Sequence, residues 1–245
     1  MLFGFNLNHI FLFPVADDEA RKNFLIGALL ILASFILPIV PYLLIMGYTL
    51  RIMRQVLDGE KPRMIAWDDW EGLLTDGLKL FGIRFVYSLP FLLFILPLML
   101  ALWSLPMLAA LLEEEGLFLA WLVAFPLFFA CFIPFSLVFA ILLPAPEAHV
   151  AATRDFSAGF RIGEWWPIFR KNLGGFVVAF LIFYGISMLL ALTIQIMMMT
   201  IILLCLLPLL LPAISMYMTI IQYVLFAHAY REGRAKLTIA PSANG

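Results

Sequence analysis

Charged residues are scarce in this chain of 245 residues, and their scarcity decides its class. Only 13% of the residues are charged, whereas 64% are hydrophobic and the mean hydropathy is +1.06. Soluble domains are about 25% charged and about 45–50% apolar. A soluble fold could not bury this much apolar surface, so the solvent of the chain must be lipid. We therefore predict an integral membrane protein, with no nucleic-acid partner.

Cysteine and catalytic motifs are scarce as well. Cys131 and Cys205 both lie inside apolar runs, so we expect small core residues rather than a disulfide or metal ligands. The sequence has no nucleophile motif, phosphate-binding loop, paired carboxylates or His/Cys cluster. These absences predict a protein that is not an enzyme and that holds no cofactor or metal.

Long apolar runs divide the chain into spans and connections. A membrane-spanning helix needs about 20 apolar residues, so the runs around 85–143 and 173–230 each predict a helical hairpin, which makes four transmembrane helices. We expect an all-α integral membrane protein with a single membrane domain. Its predicted segments are an interfacial N-terminal segment (1–23), a re-entrant or kinked hairpin (24–57), an amphipathic connection (58–84), a helical hairpin (85–143), a second amphipathic connection (144–172), a second helical hairpin (173–230) and a polar tail (231–245).

The distribution of basic residues predicts the topology. Lys and Arg concentrate on cytoplasmic flanks. The fifteen basic residues here avoid the acidic turn Glu113–Glu115 and residues 199–215, which places both connections and the tail inside. A re-entrant hairpin bent between Pro38 and Pro41 puts residues 21–22 inside as well, whereas one kinked span puts them outside. The re-entrant hairpin is favoured, with both termini cytoplasmic and the protein in the cell (plasma) membrane.

The two connections share a helical pattern. Tryptophan favours the headgroup level, and each connection carries tryptophans at helical spacing, so we predict an interfacial helix before each hairpin and a repeated unit. In the first connection Asp68, with Glu71 three residues later, is expected to cap the helix. The apolar face consists of Trp70, Leu73, Leu74, Gly77, Leu78 and Phe81 in the first connection and Trp165, Phe169, Leu173 and Phe176 in the second.

Two polar clusters are candidate sites. The acidic cluster of the first connection (Asp68, Asp69, Glu71 and Asp76) could hold a hard cation, although a capped and solvated helix face is the favoured interpretation. Glu147 and His149 could form an acid–base pair or half of a metal site. For this pair a polar loop at the membrane exit is favoured.

Two glutamines are the strongly polar residues of the last two spans. Gln195 and Gln222 can pair across the helices if the turn between these spans centres near Pro208, and cannot if it centres near Thr200. Packing is favoured over a translocation path, because two glutamines without a buried charge make a poor pathway.

Several segments outside the spans resemble a known family. These sequence elements are Gly47-Tyr48 with Arg51-x-x-Arg54, Pro62, Trp67-Asp68-Asp69-Trp70, Asp76-Gly77, and the stretches 160–164 and 170–174. They resemble the prokaryotic multi-pass membrane family named domain of unknown function 4013, over about residues 17–235. The resemblance implies a bacterial or archaeal membrane protein. It implies no activity, ligand or site residue.

Three functional hypotheses follow. The leading one is a non-enzymatic module that binds membrane lipids, or that assembles with other membrane subunits or with itself. The alternative is a small transporter or permease-like subunit, which the broken first element and the repeated pattern favour. An intramembrane enzyme would need Glu147, His149 and an acidic residue of the first connection to converge.

Overall fold

The computed structural model describes residues 7–199 and 201–239, and these are helical with short turns and no strand. The predicted all-α class is therefore confirmed. The helices are α1 (Leu7–Leu12), α2 (Asp18–Ala33), α3 (Ile39–Leu57), α4 (Trp70–Leu112), α5 (Glu115–Leu142), α6 (Pro144–Thr153), α7 (Ile162–Lys171), α8 (Leu173–Met198) and α9 (Ile201–Ile239), with 3₁₀ turns at Phe13–Val15 and Phe156–Phe160.

Four helices are long and apolar enough to cross a membrane, as predicted. They are α4, α5 with its continuation into α6, α8 and α9. In the first three, only 6%, 6% and 11% of the most apolar window is buried, against 50% in α9. Exposing this much apolar surface to water is unfavourable. Lipid or other membrane helices must therefore cover α4, α5 and α8.

The chain divides into two compact units, one made of Arg84–Leu143 and the other of the residues before and after it. The Arg84–Leu143 unit is a helical hairpin that turns at Glu113, whose φ is +56°. Phe91 of α4 lies 5.3 Å from Phe132 and 5.6 Å from Phe135 of α5 between ring centroids. The prediction of a single membrane domain stays a prediction.

Helix α9 is the centre of the other unit. Its 39 residues extend about 58 Å at 1.5 Å per residue, which is nearly twice the roughly 30 Å hydrocarbon thickness of a bilayer. It packs against α2, α3, α6, α7 and α8. Burial is concentrated in its later part, from Met216 to Tyr230. The later half is therefore the core of this unit.

Helices α2 and α3 pack against each other and against α9, with a break between Ala33 and Ile39. Pro38 is the N-cap of α3 and Pro41 lies in its first turn, where the missing N–H of proline costs no helical hydrogen bond. Helix α2 begins at Asp18, earlier than the predicted Phe24, because Asp17 accepts a hydrogen bond from the Ala20 N–H at 2.7 Å.

The buried face of α4 differs from the predicted one. Trp70 and Leu78 of the predicted face are 45% and 58% exposed, whereas Leu80 and Ile83 are buried. Asp76 is on the buried face because arginines of α3 pair with it. The stretch 70–81 also continues into the span as one helix. The prediction of a separate first interfacial helix is therefore wrong.

Three further predictions about local structure need correction. Residues 144–153 form a buried helix instead of an exit loop, since prolines are tolerated in a first helical turn. Cys131 and Cys205 are exposed on apolar helices and are not core residues. The predicted polar tail is helical as far as Ile239, and its remaining residues lie outside the described part of the chain.

Candidate functional site

Helices α3 and α4 cross at two glycines with their backbones in contact. A Cβ on Gly47 would overlap the carbonyl oxygen of Leu73, and a Cβ on Gly77 would overlap the carbonyl oxygen of Leu43. Small residues permit this close approach in membrane proteins. The crossing brings the later turns of α3 alongside the charged start of α4.

A partly buried ion-pair cluster lies beside this crossing. The side chains of Arg51 and Arg54 both donate to Asp76, at 3.1 Å from Arg51 Nε and at 2.7 and 2.9 Å from the two terminal nitrogens of Arg54. Arg51 Nη2 also donates to Asp69 Oδ2 at 2.7 Å. This hydrogen bond holds the pKa of Asp69 below its ordinary value. Two arginines of α3 therefore bind two aspartates of the following segment.

Two members of the acidic cluster, Asp69 and Asp76, are therefore paired with arginines, and the capping residue of α4 is not the predicted one. Asp69, rather than Asp68, accepts the Gly72 N–H at 3.0 Å and caps α4, while Asp68 and Glu71 are exposed. Among the described residues no group of acidic, His and Cys side chains could hold a metal ion. The cation-site alternative has no support in this geometry.

An aromatic stack holds the loop between α3 and α4. Tyr48 lies 4.1 Å from Trp67 between ring centroids, and its hydroxyl bonds to both the N–H and the carbonyl of Ile65. Trp67 Nε1 donates to the carbonyl oxygen of Asn23 at 2.9 Å, which ties the loop to α2. Trp70 lies 5.8 Å from Trp67, at the exposed edge of the stack. The loop is thus fixed to both helices of the α2–α3 pair.

Glu147 and His149 are both buried in α6, and the hydrogen-bonding partners of the His149 ring come from other helices. His149 Nε2 lies 3.0 Å from Glu164 Oε2, and Nδ1 lies 2.5 Å from the hydroxyl of Tyr230. An ionised carboxylate only accepts, so Nε2 carries a proton and donates to Glu164. Sequence analysis named neither partner of His149, since they come from α7 and α9.

The His149 network continues to the surface through Glu164. Arg161 donates to Glu164 at 2.9 Å and to Asp155 at 2.7 Å. The hydrogen bond to His149 is the main reason why the pKa of Glu164 is lowered, and the charge of Arg161 adds to it. Only the i, i+3 spacing of Arg161 and Glu164 was visible in the sequence.

The family of the chain follows from the segment that contains these clusters. The family described as "Protein of unknown function (DUF4013)" matches residues 29–199, more than half of the chain. The chain belongs to this family. No curated protein and no solved structure matches it. The resemblance inferred from the residues around Gly47, Arg51 and Trp67 is confirmed, and the matched range holds both the crossing and His149.

Helix α9, beyond the DUF4013 match, supplies further partners that the sequence did not reveal. Asn172, at the corner between α7 and α8, donates to the carbonyl oxygen of Ala229 at 2.7 Å. It accepts from Lys236 Nζ at 2.6 Å. No sequence signal joins Asn172 to residues so far along the chain. This corner fixes the last turns of α9 to the family segment.

The two glutamines do not meet. Helix α8 ends at Met198 and α9 begins at Ile201, so the turn lies at the early alternative near Thr200. Gln195 is exposed beside that turn, whereas Gln222 lies about 31 Å along α9 at 1.5 Å per residue. Gln222 instead lies beside Glu147 at a gap too narrow for water. Of the two alternatives for the turn, the structure has the one in which the glutamines cannot pair.

Proposed function

We propose that this chain is a non-enzymatic, multi-pass protein of the plasma membrane that interacts with lipid through the α2–α3 hairpin. In this proposal the hairpin enters one leaflet and returns, with both termini cytoplasmic. The observation that carries it is the hairpin tip (residues 35–40). Five apolar side chains there are exposed, with Ile36 at 84% and Phe35 at 76%.

The packing of the hairpin on α9 supports a re-entrant path. At its base, the Val56 carbonyl accepts a hydrogen bond from Arg231 at 3.0 Å, near the polar end of α9. Further towards the tip, a Cβ on Gly27 would overlap Met216. Met216 lies about 22 Å along α9 from Ile201 at 1.5 Å per residue. The tip therefore points towards the apolar half of α9 without reaching its start.

The basic residues support the cytoplasmic assignment of the hairpin base. Arg21 and Lys22 are exposed in the first turns of α2, just after its N-cap Asp17. A re-entrant hairpin leaves them on the side of Arg231, in agreement with the concentration of basic residues on cytoplasmic flanks. One kinked span over residues 24–57 would separate them.

The non-enzymatic part of the proposal rests on how the acidic residues are engaged. Asp69 and Asp76 are bound by arginines of α3. His149 bonds to Tyr230 and Glu164, in an arrangement that joins three helices. These contacts are those of a packed scaffold and differ from the convergence of Glu147, His149 and a first-connection carboxylate that an enzyme would need.

Spin labels at the tip test the lipid contact. Ile36→Cys would be placed in a Cys131→Ser, Cys205→Ser background, labelled and reconstituted into bilayers, with Glu60→Cys in the loop after α3 as the matched control. We expect oxygen, which partitions into lipid, to relax the Ile36 label more than a water-soluble nickel complex does, and the reverse order for Glu60. A tip label relaxed mainly by nickel would refute the insertion.

A transporter or permease-like subunit is the second candidate, because the break between α2 and α3 resembles the discontinuous helices of transporters. The two candidates differ in what Gln222 faces. A water-soluble thiol reagent should leave Gln222→Cys unmodified in the packed scaffold, since the gap beside Glu147 is narrow. Rapid modification would favour a translocation path.

A further inference from the structure

A cavity of about 230 Å³ lies between α1, the loop after α3, and α9. Four lysine, arginine and histidine side chains line it, namely His9, Lys61, His228 and Arg231, together with the acidic Glu60. A larger groove of about 600 Å³ adjoins it and shares His9, Lys61 and Pro62 as lining residues. The two spaces are therefore neighbours, and together they are called the depression below.

The end of α3 positions Lys61 at this cavity. Gly59 has a φ of +87°, a left-handed conformation that glycine adopts without strain. The N–H groups of Gly59 and Glu60 donate back to Val56 and Gln55, at 3.2 and 2.8 Å. This is the usual glycine C-cap of a helix. It reverses the chain so that Lys61 faces α9.

Arg231 is held in place without an anionic partner. Its Nη1 donates to the Val56 carbonyl at 3.0 Å, and its Nη2 lies 3.4 Å from His228 Nδ1. In the part of the chain that the structure describes, neither Arg231 nor Lys61 has a carboxylate within 4 Å. Two cations thus face a half-enclosed space with unused donors.

Of the three described carboxylates that line these spaces, one lies at the small cavity. Asp17 and Glu19 line the larger groove, and Asp17 is engaged as the cap of α2. Glu60 lines the small cavity but is exposed. The larger groove also offers apolar surface, including Phe13 and Met64.

We propose that the small cavity binds a phosphate group between Lys61 and Arg231, with His9 and His228 at its sides. Lysine and arginine donate charge-assisted hydrogen bonds to phosphate oxygens. The group can belong to a phospholipid headgroup whose apolar part lies along the larger groove, or to free phosphate. This site goes beyond the proposed function, because it would bind phosphate whether or not the hairpin tip enters the bilayer.

Titration of the purified full-length chain in a neutral detergent tests the site. The two probes are inorganic phosphate and short-chain phosphatidylglycerol. Lys61→Gln removes one cation of the cavity. Lys171→Gln is the matched control, because Lys171 is exposed, unpaired with any described carboxylate and outside the depression. Loss of one charged hydrogen bond should weaken binding about tenfold for Lys61→Gln, while the control stays within about twofold.

The pattern across the two probes identifies the source of the phosphate. Binding of the lipid alone, weakened selectively by Lys61→Gln, supports a headgroup site. Binding of both probes with similar affinity, weakened in the same selective way, supports a site for free phosphate. The proposal is overturned if neither probe binds the wild type, or if the two lysine variants weaken binding equally.

Discussion

At the scale of single residues, Asp76 is a buried charge that two arginines hold. It accepts from Arg51 and Arg54 with its side chain only 10% exposed. Removing one partner of a buried ion pair costs about 3–5 kcal/mol because the other charge stays buried. We expect Asp76→Asn to lower the free energy of unfolding by about 3 kcal/mol, towards the low end of that range, since both arginines keep some solvent contact.

Asp68→Asn is the control for this measurement. Asp68 is exposed and forms no ion pair with the described residues, so the change should stay within about 0.5 kcal/mol. Both variants can be compared by denaturant unfolding in the same detergent. Equal effects of the two substitutions would show that the cluster around Asp76 contributes no more than an exposed charge does.

The hydrogen bond between His149 and Glu164 predicts a dependence of stability on pH. Because the pKa of Glu164 in the fold lies below its ordinary value of 4.5, the ionised form is favoured by folding. Its contribution is complete above about pH 4.5 and is lost as the pH falls through the lowered value. We expect the difference in melting temperature between wild type and Glu164→Gln to shrink between pH 5 and pH 3.

Glu71→Gln provides the comparison for the acid titration. Glu71 is exposed at the start of α4. The melting temperature of the Glu71→Gln protein should therefore follow that of the wild type over the same pH range. A difference in melting temperature between wild type and Glu164→Gln that stays constant down to pH 3 would contradict this prediction. It would show that His149 does not stabilise the ionised Glu164 carboxylate.

At the scale of elements, the crossing of α3 and α4 depends on the absence of side chains at Gly47 and Gly77. A methyl group at position 47 would meet the backbone of Leu73, which cannot move aside as a side chain can. We expect Gly47→Ala to destabilise the protein by about 1–3 kcal/mol, the usual range for overpacking. Thermal unfolding followed by circular dichroism measures the loss.

Gly185→Ala separates this effect from the general preference of helices for alanine. Gly185 lies within α8 with open space where its Cβ would be, so alanine there should be neutral or stabilise by about 0.5–1 kcal/mol. A stable Gly47→Ala protein with an unchanged melting temperature would contradict the close crossing.

The same element shows where sequence patterns succeed and fail. The apolar runs predicted four spans, because hydropathy reports the solvent directly. The buried face of α4 was not predictable from spacing, because Asp76 becomes buried only when Arg51 and Arg54 of another helix neutralise it. Local periodicity cannot report a partner that lies more than twenty residues away.

The residues of the candidate site also divide into those that the sequence singled out and those that it did not. Gly47, Arg51 and Trp67 were singled out by a family resemblance, and the structure brings them to one junction with α4. Tyr230 and Asn172 carried no local signal, since their partners come from distant helices. The turn after Met198 was left open because the surrounding run has neither a charge nor a glycine to mark it.

At the scale of the whole chain, α9 organises the unit outside Arg84–Leu143. Its first half is apolar and flanked by α8, while its second half is covered by α2, α3, α6 and α7. The α2–α3 hairpin has its base near the polar end of α9 and an exposed apolar tip. Our account therefore depends on whether the start of α2 and the end of α9 share one side of the membrane.

Cysteine accessibility in intact cells measures this most directly. Lys22→Cys, Glu114→Cys and Arg234→Cys, all at exposed positions, would each be made in a Cys131→Ser, Cys205→Ser background and treated with a membrane-impermeant thiol reagent. The account predicts that only the cysteine at position 114 is labelled from outside. Labelling of the cysteine at position 22 together with that at 114 would show that residues 24–57 form one kinked span, and would contradict the re-entrant fold.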